Sequence, residues 1–423
     1  MKDGHAEPAG LGLFEAYGIE IEYMIVDAGT LDVLPVTDRV MHAMAGDYVD
    51  EVEAGALSWS NELALHVIEL KTNGPAPVLD GLHSAFQADV ARINALLRDS
   101  GGRLMPTAMH PWMDPARETR LWPHAHSPVY EAFDRIFDCR GHGWSNLQSM
   151  HINLPFRGDG EFGRLHAAIR AVLPLLPALA ASSPLMEGRL TGTLDSRLEV
   201  YRDNARRIPW VTGMVVPEPV YTRADYENEL LGRIYRDLAP HDPGGLLRHE
   251  WVNARGAIAR FDRDAIEIRV LDTQECPASD LALARLIVAV VRALTDEAWY
   301  GMRQLRELDT AALLHSFELC VREAEDAVIA DRLLPRVFGF PERGRCRARD
   351  LWQHLQETLL PTPAPDDAAI YRLYLRQGTL ARRITRALAQ EGDARAEAPD
   401  REALHRIYER LCRCLERGES FVA

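Results

Sequence analysis

Three short stretches of this 423-residue sequence place acids or a histidine, paired with a polar residue two positions away, where a half-buried strand would usually carry neutral polar groups. Glu20 and Glu22 lie in GIEIEYMIVD, His151 and Asn153 in SMHINLPF, and Glu267 and Arg269 in AIARFDRDAIEIRVLD. The residues flanking them are apolar: Ile19 and Ile21, Ile152 and Leu154, Ile266 and Ile268. Each stretch therefore reads as a strand with one polar and one core-facing side. If the three strands share one antiparallel sheet, its polar face gathers at least three carboxylates and an imidazole. Unshielded carboxylates about 4 Å apart repel by about 1 to 4 kcal/mol, depending on the local dielectric. A cation must offset that repulsion. Donors that are mostly carboxylate oxygen, with no thiolate, select magnesium or manganese over zinc. Singly, each pair has an ordinary reading as a solvated face, a structural histidine or a same-face salt bridge. Their joint occurrence is what points to a metal site.

Glu62 and Glu69 add a second acidic pair, but their spacing of seven is odd. A continuous strand would send them to opposite faces. They converge only if a bulge or bend lies between them, or if Glu62 sits just before the strand. On spacing alone Glu69 is the candidate, and Glu62 stays open. No GxxxxGK[ST] loop, GxGxxG, GxSxG or HExxH pattern occurs. Nucleotide use, if present, must come through metal and arginine rather than a phosphate-cradling glycine loop.

The elements that must position these residues mix short strands and helices over roughly the first 300 positions. Residues 18–27 form the first strand, with Ile19, Ile21, Tyr23 and Ile25 opposite Glu20, Glu22 and Met24. Residues 60–75 form a second strand region closed by Asn-Gly-Pro, and 79–102 a helix ending in Gly-Gly. Residues 161–181 read as a buried helix kinked by Pro174 and Pro177. Residues 257–272 read as a hairpin with return strand IEIRVL, and an apolar helix follows over about 280–300. From about Leu305 the sequence shows amphipathic helices and no strand, with breaks near 338–345, 361–367 and 391–400. This predicts an α+β chain in two parts: a catalytic domain over 1–304 and a helical extension over 305–423 packed on it. The extension is expected to supply no metal ligand.

Composition sets the class. With 47% hydrophobic and 26% charged residues the chain is an ordinary globular protein, and no apolar run reaches the roughly 18 residues of a membrane span. A formal net charge of −15 argues against a nucleic-acid binder. The opening MKDGHAEPAG lacks the apolar stretch of a signal peptide. Six scattered cysteines without a CxxC pair read as reduced thiols, as expected in cytoplasm.

The ordered set GIEIEYMIVD, NELALHVIELKTNGP, MHPWMDP, SMHINLPF, LAASSPLMEGRLTGTLDSR and IEIRVLDTQECPASDLALA resembles the bacterial glutamate–cysteine ligase type 2 family. These carboxylate–amine ligases belong to the glutamine-synthetase-like superfamily. The resemblance covers roughly residues 18–294. It implies a twisted antiparallel sheet with flanking helices, one face of which holds ATP and two or three magnesium ions, with manganese as a substitute. Carried over by position, Glu20, Glu22, Glu62, Glu69, His151 and Glu267 are implied metal ligands, which favours the bend before Glu69. Arg269, with Glu267 beside it, is the implied catalytic pair, the arginine facing the transferred phosphate. Arg269, Asn153 and Arg197 are the implied nucleotide contacts.

The implied reaction is ATP-dependent amide formation. ATP phosphorylates a carboxylate to an acyl phosphate, and an amine displaces the phosphate. The partners are then small amino acids, with glutamate as the acid and cysteine as the leading amine. No nucleic acid or membrane partner is expected, and a homo-oligomer is allowed. The other readings are a metal-dependent hydrolase on the same sheet and a non-catalytic metabolite-binding paralogue or partner subunit.

Overall fold

The computed structural model describes residues 10–341, 344–391 and 398–423. Most of the MKDGHAEPAG start and the middles of the breaks expected near 338–345 and 391–400 lie outside the described residues.

Eight strands form one sheet: β1 (Gly18–Asp27), β2 (Glu51–Glu53), β3 (Leu57–Asn61), β4 (Val67–Thr72), β5 (Gly102–Met105), β6 (Ser149–Pro155), and, after a small separate hairpin of β7 (Leu185–Met186) and β8 (Arg189–Leu190), β9 (Ala257–Arg260) and β10 (Ala265–Asp272). The order across the sheet is β2-β3-β4-β1-β6-β10-β9, with β5 paired to the C-terminal part of β1. Every pairing is antiparallel. The α+β sheet expected from the sequence is therefore present, with β1 at its centre.

Alternation explains the burial along β1. Ile19, Ile21, Tyr23 and Ile25 are fully buried on the core side, where they join Phe86, Ile93, Phe162, Ile169, Leu281 and Ile287 from the helices Leu82–Leu97, Gly158–Val172 and Pro277–Thr295. On the other side Gly18, Glu20 and Glu22 give way to Met24 and Val26. These two pack with Leu380, Ile384, Leu404, Ile407, Tyr408 and Leu411 of the helices Leu380–Glu391 and Arg401–Arg417. The polar face turns apolar at Met24 because helices from the end of the chain cover it there.

Several local expectations are corrected. Residues 60–75 are not one strand: β3 ends at Asn61, the chain reverses through Glu62 to His66, and β4 returns with Ser60 opposite Glu69. Residues 161–181 break into the helix Gly158–Val172, the 3-10 turn Leu173–Leu175 and the helix Pro177–Ala180. β5 had no sequence signal, because four residues are too few to show alternation. For the same reason the last third contains one strand pair that was not expected, β11 (Val328–Ile329) with β12 (Cys346–Arg347). Otherwise its described elements are helical.

Polar anchors fix the late helices to the sheet domain. Trp352 Nε1 donates to Leu175 O at 3.0 Å, Tyr371 Oη to Ala282 O at 2.7 Å and Tyr374 Oη to Ala178 O at 2.9 Å. Deeper still, Arg383 Nη1 reaches Glu275 Oε1 at 2.6 Å and Phe421 O at 2.5 Å, and Phe421 N donates to Glu275 Oε1 at 3.2 Å. Glu275 is fully buried. Removing one partner of such a pair leaves an uncompensated charge, at a cost of about 3–5 kcal/mol. Arg383→Met should therefore lower unfolding stability by about that amount in urea denaturation. An unchanged midpoint would show that the pair does not tie these helices down.

Candidate active site

The strand register builds the site directly. Glu22 lies opposite Glu69 on β4, and Glu69 lies opposite Ser60 on β3. Glu20 lies between Lys71 on β4 and His151 on β6. Asn153 on β6 lies between Gly18 and Glu267. Directly opposed residues in antiparallel strands have Cβ atoms about 4.5–5.5 Å apart, so these side chains form contiguous rows on one face.

Hydrogen bonds knit the rows. His151 Nδ1 is 2.9 Å from Glu20 Oε2, and Asn153 Nδ2 donates to Glu20 Oε1 at 2.9 Å. Ser149 N donates to Glu22 Oε2 at 2.7 Å, while Ser149 Oγ is 2.8 Å from His151 Nε2. Ser60 Oγ donates to Glu69 Oε2 at 2.6 Å. Glu62 reaches this group from the turn after β3: it lies outside the strand that carries Glu69, and the chain reverses between the two.

β10 carries a β-bulge at the site. Its pairing with β6 jumps from Ile268 opposite Ile152 to Leu271 opposite Met150, so Arg269 and Val270 together face His151. Bulges re-aim side chains beside functional sites. Here Arg269 Nη2 and Nε donate to Glu267 Oε1 at 2.6 Å and 3.0 Å. Glu267 also lies 3.7 Å from His151 Nδ1 and 3.8 Å from Arg260 Nη1. Arg197, fully buried at the start of the helix Ser196–Tyr201, donates from Nε to Asp272 Oδ1 at 2.5 Å and from Nη1 to Arg269 O at 3.3 Å. It lines the same cavity of about 360 Å³ as the acids, His151 and Arg269. Asn153 faces an adjoining cavity.

The electrostatics show what crowding does. Burial alone would raise Glu20, but the hydrogen bond and charge of His151 bring it down to about 2. Burial alone would lower His151, but its bond to Glu20 and the charges of Glu22, Glu20 and Glu267 raise it to about 9. The pair is an imidazolium–carboxylate bridge. Burial and the charge of Glu22 push Glu62 up to about 8, and burial with the charges of Glu20 and Glu62 pushes Glu69 well above its usual range. Two trios each bring one donor atom per residue within 4.8 Å of the others: Glu20, Glu69 and His151, and Glu22, Glu62 and Glu69. Glu69 belongs to both. Acids that hold protons near neutrality for want of a counter-charge, converging as oxygen donors with one imidazole, fit a hard divalent cation. Glu267 stands outside both trios, committed to Arg269.

The model of glutamate–cysteine ligase family 2 matches residues 16–410. The chain belongs to this family. An uncharacterized protein of Archaeoglobus fulgidus is 30% identical over 405 residues, covering 96% of this chain and 100% of that protein. Among solved structures, the fold is shared with the glutamate–cysteine ligase of Francisella tularensis in complex with AMP (TM-score 0.56, 11% identity, 96% of this chain and 90% of that one). It is also shared with a bifunctional glutathione synthetase of Pasteurella multocida (TM-score 0.54, 14% identity, 95% of this chain and 52% of that one).

In this family member the structure adds cavity residues that the sequence reading missed. Lys71 and Ser149 sit two positions from Glu69 and His151, so alternation alone could have flagged them. Tyr130, Phe133, Trp144 and Tyr201 also line the cavity from helices, Arg260 from the end of β9 and Arg263 from the turn after it. Among the described residues, neither the trios nor the cavity lining includes a residue beyond Arg269, and no helix is long and apolar enough to cross a membrane.

A cation entering this site must displace protons: from Glu62, pushed up to about 8, from His151, raised to about 9, and from Glu69, which burial and the charges of Glu20 and Glu62 push upward. Magnesium titrated into the protein at pH 7 should therefore release protons, read as a calorimetric heat that varies with buffer ionisation enthalpy. Its affinity should rise as pH increases through about 8, the value of Glu62. Buffer-independent heats with pH-independent affinity would contradict the carboxylate set as the binding site.

Proposed function

We propose that this protein is an ATP-dependent carboxylate–amine ligase that forms an amide through an acyl phosphate, with the γ-carboxylate of glutamate as the acid and a small amino acid, cysteine first, as the amine. The observation that carries the reading is the convergence of Glu20, Glu22, Glu62, Glu69 and His151 beside an arginine, Arg269, seated on a β-bulge. That pattern suits phosphoryl transfer, where catalysis is largely positioning and charge stabilisation. Membership of the ligase family and the AMP complex of the Francisella tularensis enzyme support nucleotide use.

Glu20, Glu22, Glu62, Glu69 and His151 would hold magnesium or manganese, with Glu267 at the edge of the set, and the ion would neutralise phosphate charge. The chain's own groups do the remaining work. Burial works against the Arg269 charge, and Glu267 beside it more than offsets this, so the guanidinium stays charged. Its Nη1 donates a long bond, 3.4 Å to Asn253 O, with Tyr201 beside the guanidinium, and is the edge that would meet the transferring phosphoryl oxygens. Glu267 orients Arg269 through two hydrogen bonds to one oxygen. Arg197, clamped by Asp272 and the carbonyl of Arg269, braces the bulge from behind and adds positive charge near Glu22. Asn153 holds the second oxygen of Glu20, fixing the carboxylate plane. Glutamate suits the chemistry because its side-chain carboxylate can react while its α-groups anchor it.

The test is ADP release with product mass spectrometry over pairs of acids and amines. Release should require magnesium and both partners, and yield a γ-glutamyl amide. ADP release without amine would favour a hydrolase, and no turnover with any pair would favour a non-catalytic binder. Glu267→Gln and Arg269→Lys should each lower turnover at least about 100-fold, the scale of losing one major electrostatic stabiliser, with unchanged melting temperature. Arg269→Lys keeps the charge and loses the planar fork. Near-normal turnover in both variants would reduce the pair to a structural salt bridge.

A further inference from the structure

The cavity holding the acids is not alone on its face of the sheet. A second cavity of about 380 Å³ adjoins it over the first residues of β1 and the last of β6. Both fall in the size range of small-molecule sites, about 300–1,000 Å³. The second combines apolar walls, among them Ala16, Tyr17, Pro75, Pro155 and Ala265, with the hydroxyls of Ser58 and Thr72, the rim acid Glu51 and the amide of Asn153 on its floor. Gly18 keeps that floor open: a Cβ there would lie 2.9 Å from Asn153 Cβ. The two cavities share three residues, Glu20, Lys71 and Arg263.

At that throat the floor is Glu20, bridged to His151, and a chain of phosphates passing over it would meet the cations on the walls. Lys71 and Arg263 are the cations both cavities share. Lys71 is placed there by register, opposite Glu20 on β1 and Ser58 on β3, and so on the same face as the acids. Its partners are two acids. The nearest, Glu51 at 2.8 Å, is an exposed residue of edge strand β2, and Glu69 lies at 3.6 Å. Arg263 is exposed, and among the described residues its ion pair is to Asp262 at 4.0 Å. Both cations are thus available to a polyanion. Lysine is also scarce here, Lys2 and Lys71 being the only two in the sequence.

We propose that the nucleotide spans both cavities, its base in the second, and that Lys71, with Arg263 opposite, binds the phosphates bridging the throat. This rests on the ligase reading, and extends it by assigning to Lys71 a binding role outside the acid and Arg269 machinery.

The experiment is calorimetric titration of the full-length protein with MgADP and with AMP. Lys71→Met should weaken MgADP about 10- to 100-fold, the range for a hydrogen bond to a charged group. It should leave AMP within about twofold, because a single phosphate stays beside the base. Lys71→Arg should recover most of the loss. Arg263→Gln, at an exposed position that does not threaten the fold, should weaken MgADP in the same direction. In turnover assays the Lys71→Met defect should appear in the KM for ATP rather than that for the acid. Unchanged MgADP affinity in both Lys71→Met and Arg263→Gln, or a defect confined to the KM for the acid, would overturn the assignment. If the unaltered protein binds neither nucleotide, the ligase reading itself falls, and the Lys71 role with it.

Discussion

Four carboxylates, three on one face of a sheet and Glu62 on the turn beside it, gathered in two overlapping groups that share Glu69 and mostly removed from water, are the constraint around which this protein is arranged. Each pair resists being charged, and burial adds to the resistance. The free chain meets the problem in two ways. His151 takes a proton and bridges to Glu20, while Glu62 and Glu69 hold protons of their own. Neither solution is needed once a divalent cation is present. The site is built to be completed by charge from outside.

Holding acids in that arrangement requires stiff strands, and the rest of the fold supplies them. β1 is paired on both edges, and its core side is dry from Ile19 to Ile25. Where the acids end, Met24 and Val26 bring the helices Leu380–Glu391 and Arg401–Arg417 down onto the same face. The C-terminal helices therefore bound the site without lining it. Their anchors, including the buried Arg383–Glu275 pair just beyond β10, tie the end of the chain to the strand that carries Glu267 and Arg269.

Period-two alternation made much of this legible from sequence. Glu20, Glu22, His151, Asn153, Glu267 and Arg269 each announced a strand and a face, because their neighbours are uniformly apolar. Alternation could not give strand order, so the meeting of Glu22 with Glu69 and of Glu20 with His151 required the register itself. It also failed where the chain turns. The Glu62 turn and the bulge at Arg269 are departures from regular geometry: alternation marked Arg269 without showing the bulge, and only the family resemblance favoured Glu62 in advance. The aromatic wall of Tyr130, Phe133 and Trp144 had no local signal, since helical residues enter the cavity by tertiary packing.

The central claim is that the acids of β1, the β3–β4 turn and β4 are cation ligands rather than a polar surface. Crystals grown with manganese and a non-hydrolysable ATP analogue, measured at the manganese absorption edge, test it most directly. Anomalous peaks are expected between Glu22, Glu62 and Glu69 and between Glu20, Glu69 and His151. Nucleotide bound with no anomalous peak at either trio, or with manganese held only elsewhere, would contradict the account.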